Sequence, residues 1–157
     1  MAAKPTPVDA RWLSLKDKPG GKRLFSFLLG RMAPYSGSIS PLVEELEPGH
    51  AVVVMHDRGR VRNHLDSIHA VALMNLGELS SGLAVISAIP ADARGILAGL
   101  SIEYLKKGRG TLTAVCDCER PESAERREYE VTADIRDREN DTVAKVTARW
   151  LIGPKER

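Results

Sequence analysis

From Ala70 to Ala91 the chain reads AVALMNLGELSSGLAVISAIPA, twenty-two residues in which Glu78 is the only charged side chain. A run so rich in Ala, Leu and Val has the composition of a core helix. Its length alone would suit a membrane span, but Asn75, Glu78, Ser80, Ser81 and two glycines make a spanning helix costly. The expectation is therefore a helix wrapped by protein on most sides, with a single carboxylate held in it. A buried carboxylate without a partner has a raised pKa and costs folding stability, so its presence points to a function. The rest of the chain has to cover this helix.

The 157 residues suffice for one domain with a sizeable core. Hydrophobic residues make up 43% and charged residues 28%, which excludes a largely disordered chain. A net charge of +2 without a dense basic cluster argues against nucleic-acid binding. Cys116 and Cys118, two apart in a strand-like run, read as buried reduced thiols. With no N-terminal apolar run of signal length, the expectation is a soluble cytoplasmic protein with no membrane partner.

Residues 1–20 read as an N-terminal arm, loose to about residue 10, with a short apolar segment at Trp12, Leu13 and Leu15. Residues 21–157 read as a single domain. Leu24, Phe25, Leu28, Leu29 and Met32 recur at helical spacing, so 22–32 is an amphipathic packing helix closed by Ala33-Pro34. Ser38 to Glu47 and Ala51 to Met55 form a strand pair around Pro48-Gly49, and Pro41 implies that the first strand lies at an edge or begins irregularly. Asp66 or Ser67 is the expected cap of the central helix.

After Pro90 the period changes to two. Ile96, Ala98, Leu100, Ile102 and Tyr104 are expected on one face of a strand, and Leu112, Ala114, Cys116 and Cys118 on one face of the next. Tyr129 to Ile135 and Ala144 to Ile152 alternate likewise. Turn chemistry at Lys107-Gly108-Arg109-Gly110 and at Glu139-Asn140-Asp141 predicts hairpins joining strands three to four and five to six. The class is α+β, an antiparallel sheet with one face covered by a single apolar helix.

Helix, two strands, a long helix and four strands, together with the residues at the central helix start, resemble the hotdog-fold acyl-CoA thioesterases. The branch most similar is the phenylacetate-degradation type with its uncharacterised relatives. That branch has an Asn, a His-Gly-Gly beginning six residues on, and an Asp or Glu nine residues after the His. Asn63, His69 and Glu78 hold both spacings. Ile102 to Gly108, IEYLKKG, resembles the family's third strand. The resemblance covers residues 36–152 and implies a sheet wrapped around a long central helix, with an extra N-terminal helix. Two features depart from the pattern: the Gly-Gly is Ala70-Val71, and a glycine common three residues before the His is Asp66. Ala70 and Val71 narrow the approach of a carbonyl to the backbone, and Asp66 adds negative charge near the helix start.

Thioester hydrolysis needs a polarised carbonyl and a carboxylate that attacks it or activates water. The first N–H groups of the central helix, at Ala70 and Val71, carry partial positive charge suited to a carbonyl oxygen. Glu78 lies about two turns deeper and cannot reach that spot in its own chain. The resemblance implies a homodimer, or a tetramer of two dimers, in which Glu78 of one chain faces Asn63 and the helix start of the other. Asn63 would then orient the water or the carboxylate, and His69 would fix the loop. Lys106, Lys107 and Arg109, or Arg58, Arg60 and Arg62, are candidates for the phosphates of coenzyme A, which enters as part of the substrate rather than as a cofactor. The cysteines are too few for a metal site, and His50, His56 and His64 lack ligand spacing.

Two other functions share these residues. His64 and Glu78 stand fourteen apart, a spacing that resembles hotdog-fold hydroxyacyl-thioester dehydratases. A non-catalytic acyl-CoA or fatty-acyl binding protein would use the same pocket without turnover.

Overall fold

The computed structural model describes residues 5–156. Its elements run α1 (Pro7–Leu15), α2 (Gly21–Met32), α3 (Pro34–Gly37), β1 (Leu42–Glu47), β2 (His50–Met55), α4 (Ala70–Ala88), β3 (Ala93–Tyr104), β4 (Leu112–Asp117), β5 (Arg127–Arg136) and β6 (Thr142–Pro154). The strands form one antiparallel sheet in the order β1-β2-β4-β5-β6-β3, packed on α4. This is the expected α+β class and sheet-on-helix architecture, with N-terminal helices added.

Long and apolar enough to cross a membrane, α4 is mostly buried inside the fold as its core helix. Two glycines and a serine seat it on β6. A Cβ on Gly77 would lie 2.2 Å from Val146 Cγ2, and one on Gly82 would lie 3.2 Å from the Trp150 ring. Between them, Trp150 Nε1 donates to Ser81 Oγ at 3.3 Å, and that hydroxyl donates to the Glu78 carbonyl at 2.9 Å. Side chains of β2, β4, β5 and β6 such as Val53, Leu112, Ile135 and Val146 are fully buried in the core.

Part of the expected arm is a helix. Thr6 and Asp9 form a capping box at the start of α1, and Trp12 packs edge-on against Phe25 of α2 at 5.1 Å between ring centres. Residues 1–4 of that arm lie outside the described residues. The helix α2 covers the outer edge of β1: Ser26 Oγ accepts the Val43 N–H at 2.8 Å and donates to Lys22 O. One outward amide of this edge strand is thereby satisfied. Pro41 precedes β1, and β1 is an edge strand as expected.

Two expectations are corrected. The hairpin β5–β6 forms, but β3 and β4 do not pair; β3 lies against β6, while β4 lies between β2 and β5. The turn chemistry at 107–110 instead serves a crossing segment. Leu105 and Lys106 N–H groups bond to Val143 O, and Gly108 O accepts the Ile68 N–H at 2.7 Å. The face of β3 also differs. A bulge between Leu97 and Gly99 shifts the register, so Leu97 opposes buried Trp150 while Leu100 and Ile102 oppose Ala148 and Val146. Ile96, half exposed, and Ala98 therefore do not share the inward face of Leu100 and Ile102.

Candidate active site

The segment from Asp57 to His69 carries the chain from β2 into α4 and is held by its own polar side chains. Asn63 Oδ1 accepts from the N–H groups of Leu65 (2.9 Å) and Ser67 (3.3 Å) and from Ser67 Oγ (3.2 Å). This side-chain turn fixes the loop, and Asn63 Nδ2 has no partner among the described residues. Asp66 takes a left-handed φ of +53°. A glycine or an Asp tolerates that conformation, which gives a physical reason for this residue type where the resembled family has glycine. Its carboxylate is held by Arg62 at 3.1 Å, so its charge is compensated locally.

His69, not Asp66 or Ser67, caps α4. Its Nδ1 accepts the Val71 N–H at 3.0 Å, and its own N–H bonds to Val61 O at 2.7 Å. The expected loop-fixing role of His69 thus has a definite geometry. The same bond corrects the expected pair of free amides: Val71 N–H is occupied, and Ala70 N–H alone has no partner among the described residues. Ala70 and Val71 are both exposed at the helix start. Tyr104 at the end of β3 donates to Ala70 O at 3.0 Å, joining this helix start to the sheet edge.

Glu78 sits in the third turn of α4. Ala70, Val71, Met74, Glu78 and Ile86 are the residues of this helix that are not buried. Val71, Met74 and Glu78 are spaced i, i+3, i+7 and form one open stripe. The Ser81 hydroxyl bonds to the Glu78 backbone carbonyl, not to its carboxylate, and the carboxylate has no partner among the described residues. Burial pushes its pKa above the usual carboxylate range. From Ala70 to Glu78 the helix rises about 12 Å, so one chain cannot present both to the same carbonyl. A depression of about 260 Å³ beside the helix start is lined by Tyr35, Arg60, Arg62, His69, Val71 and Asn75 among others, and Glu78 is not in its wall. Asn75, which sequence reading noted only as a polar residue, is buried and donates to Tyr35 O at 3.0 Å.

The expected phosphate ligands separate into two sets. Lys106 is bound to Asp137 (2.5 Å) and Asp141 (2.8 Å), which raise its pKa. Arg62 is bound to Asp57 (2.6 Å) and Asp66, and Arg109 donates to Asp66 O. Lys107 is exposed. Arg58 and Arg60 remain, without partners among the described residues, in the wall of a cleft of about 720 Å³ between α2, α3 and the loop after β2. Arg23 and Arg31 of α2 line it too, and sequence reading, which treated α2 as a packing helix, missed both. Their i, i+8 spacing around Phe27 was the available signal. His64 is exposed on the loop and shares no described bond with Glu78.

A six-stranded antiparallel sheet packed on one long helix, with the helix start and a lone carboxylate on its open side, defines a hotdog-fold protein of thioesterase-like structure. The chain belongs to the DUF4442 family, a domain of unknown function, whose model matches residues 21–152. Among solved structures, it is similar to that of genomics APC5556, with 30% identity, a TM-score of 0.82, and coverage of 94% of this chain and 98% of that one. It is similar also to PA5026 from Pseudomonas aeruginosa, a protein of unknown function and "probable thioesterase", with 21% identity, a TM-score of 0.76, and coverage of 98% and 100%. A third similar structure is smu.793 from Streptococcus mutans UA159 bound to acetyl CoA, with 25% identity, a TM-score of 0.61, and coverage of 73% and 90%. No curated protein matches the chain.

Proposed function

We propose that this chain hydrolyses an acyl-CoA or related acyl thioester, as a homodimer whose two sites each combine Glu78 of one chain with the helix start of the other. The observation that carries this reading is the unpartnered Glu78 carboxylate, raised in pKa by burial yet left on the open stripe of a core helix. A structural carboxylate would have been given donors. The sheet supplies the means of pairing: α2 covers the β1 side at Val43, while β3 is a twelve-residue edge with no strand beyond it among the described residues. Two such edges meeting about a two-fold axis would bring the open stripes of both α4 helices together.

In this arrangement the thioester oxygen lies at the Ala70 N–H, where the helix dipole stabilises developing negative charge. Glu78 accepts a proton from water as the water oxygen bonds to the carbonyl carbon. The C–S bond then breaks, and Glu78 returns the proton to the departing thiolate, giving acid and thiol. Direct attack by Glu78 through an anhydride, which water then opens, gives the same products. The amide of Asn63, whose Nδ2 has no bond within the described chain, orients the water or the carboxylate. Asn63, His69 and Glu78 in their spacing favour the phenylacetate-degradation branch.

The test is thiol release from short, medium, long and aromatic acyl-CoAs by wild type and Glu78→Gln. We expect release by the wild type and loss of about a hundredfold or more in the variant. Equal rates in both would sink the assignment. One observation favours a second reading. Val71 N–H is already taken by His69, leaving a single free amide for an oxyanion. Acyl-CoA binding with no release from any thioester would establish binding without turnover.

A further inference from the structure

The cleft between α2, α3 and the loop after β2 gathers four arginines in its wall. Arg23 and Arg31 from α2 and Arg58 and Arg60 from the loop all line it, with His56, and no carboxylate does. None of the four guanidinium groups makes an ion pair or hydrogen bond among the described residues. Arg62, Arg94, Arg136 and Arg149, by contrast, each face a carboxylate within 4 Å. The sequence carries 21 acidic residues against 23 Lys and Arg, yet none of the acidic ones lines this cleft. Four like charges around one concavity repel each other and focus a positive potential into it.

The walls are built to hold this geometry. Ser26 ties α2 to β1, and α3 packs on α2 where Gly30 and Gly37 meet backbone to backbone; a Cβ on Gly37 would lie 2.8 Å from Gly30 Cα. Phe27, 64% exposed, presents a ring between Arg23 and Arg31. At about 720 Å³ the cleft falls in the range of small-molecule sites. Planar guanidinium forks suit phosphate oxygens, and an exposed ring suits a flat base. Arg60 also lines the depression at the start of α4, with His69 and Asn75, so the two cavities share a wall.

We propose that this cleft binds the phosphate-bearing nucleotide end of a thiol carrier, with Arg23 and Arg31 of the added helix α2 as specificity residues beside Arg58 and Arg60. That the ligand is a coenzyme A thioester rests on the thioesterase reading; that the cleft takes a phosphorylated nucleotide does not. The nucleotide sits against Phe27 with its phosphates among the four arginines, and the pantetheine arm passes Arg60 toward the helix start. An acyl group delivered on a carrier protein has no nucleotide to fill this space.

The experiment is titration calorimetry of the full chain with adenosine 3′,5′-bisphosphate, for wild type and the double variant Arg23→Gln/Arg31→Gln. We expect saturable binding, one per chain, weakened at least tenfold in the variant and by added salt. The preference in kcat/KM for acyl-CoA over the matching acyl-pantetheine, which lacks the nucleotide, should fall about tenfold as well. Arg31→Lys, which keeps the charge without the fork, should lie between. Absence of saturable binding, or equal affinity in both proteins, overturns the proposal. So does capture of phosphatidylglycerol vesicles by a chain that ignores the bisphosphate, since the ligand is then a lipid headgroup. Bisphosphate binding that depends on Arg23 and Arg31 in a protein that releases no thiol would support the cleft and refute the hydrolase.

Discussion

Glu78 is held in a way that costs stability. Because its pKa is higher in the folded chain than in the unfolded one, the folded state binds the extra proton between those two values. Stability therefore falls as pH rises through that window, and the loss is complete once the folded carboxyl ionises. Glu78→Gln should melt higher than wild type at pH 7, with the difference closing as pH falls to about 4; calorimetric scans across that range read it directly. The same group should make kcat/KM for thioester hydrolysis rise with pH around a midpoint above that of an ordinary glutamate.

His50 shifts stability with pH in the same sense, but through favourable charge pairs rather than burial. Its Nδ1 lies 2.6 Å from Asp117 and its Nε2 3.2 Å from Glu45, and these carboxylates raise its pKa above 6.5. A raised histidine pKa stabilises fully below the unfolded value and ceases to do so as pH rises through the folded one. His50→Gln should lower the melting temperature at pH 6, and the gap should shrink by pH 9. Nothing in the alternation of β2 announced this cluster, because Glu45, His50 and Asp117 come from three strands whose register had first to be known. By contrast, Glu78 was legible because a lone charge in an apolar helix conflicts with burial at the level of sequence.

Among the elements, α4 is the one whose fit to the sheet is tightest. Gly77→Ala would drive a methyl group into Val146, and overpacking of this kind costs about 1–3 kcal/mol. A lowered urea midpoint with unchanged slope is the expected result. Ser26→Ala would leave the buried Val43 N–H without an acceptor and should destabilise by about 1–3 kcal/mol in the same assay. Period and composition revealed the strands and the long helix, since burial imposes both. They could not reveal that β3 lies beside β6, because turn residues at 107–110 suit a crossing segment as well as a hairpin. The bulge at Leu97 was equally hidden: alternation through Ile96, Ala98 and Leu100 looks unbroken until cross-strand partners show Ala98 to be extra. The cap of α4 falls to His69 for a related reason, as Asp66 is committed to Arg62 and a left-handed turn, leaving His69 to meet Val71.

For the whole molecule, the proposed site exists only between two chains. Sedimentation velocity should give a dimer or a dimer of dimers at micromolar concentration, and a persistent monomer would contradict the shared site. The helix start and the acid were both visible in the spacing of Asn63, His69 and Glu78. The arginine cleft was not, since half of it comes from the loop after β2 and half from a helix whose apolar period suggested only packing.

The unequal edges of the sheet limit how far it can grow. Ser26 and α2 cover the β1 side at Val43, so β3 is the barer of the two margins. In the proposed dimer, joining along β3 would consume that margin and leave only the covered β1 sides facing outward. Such an arrangement would discourage the runaway strand addition that two open margins invite.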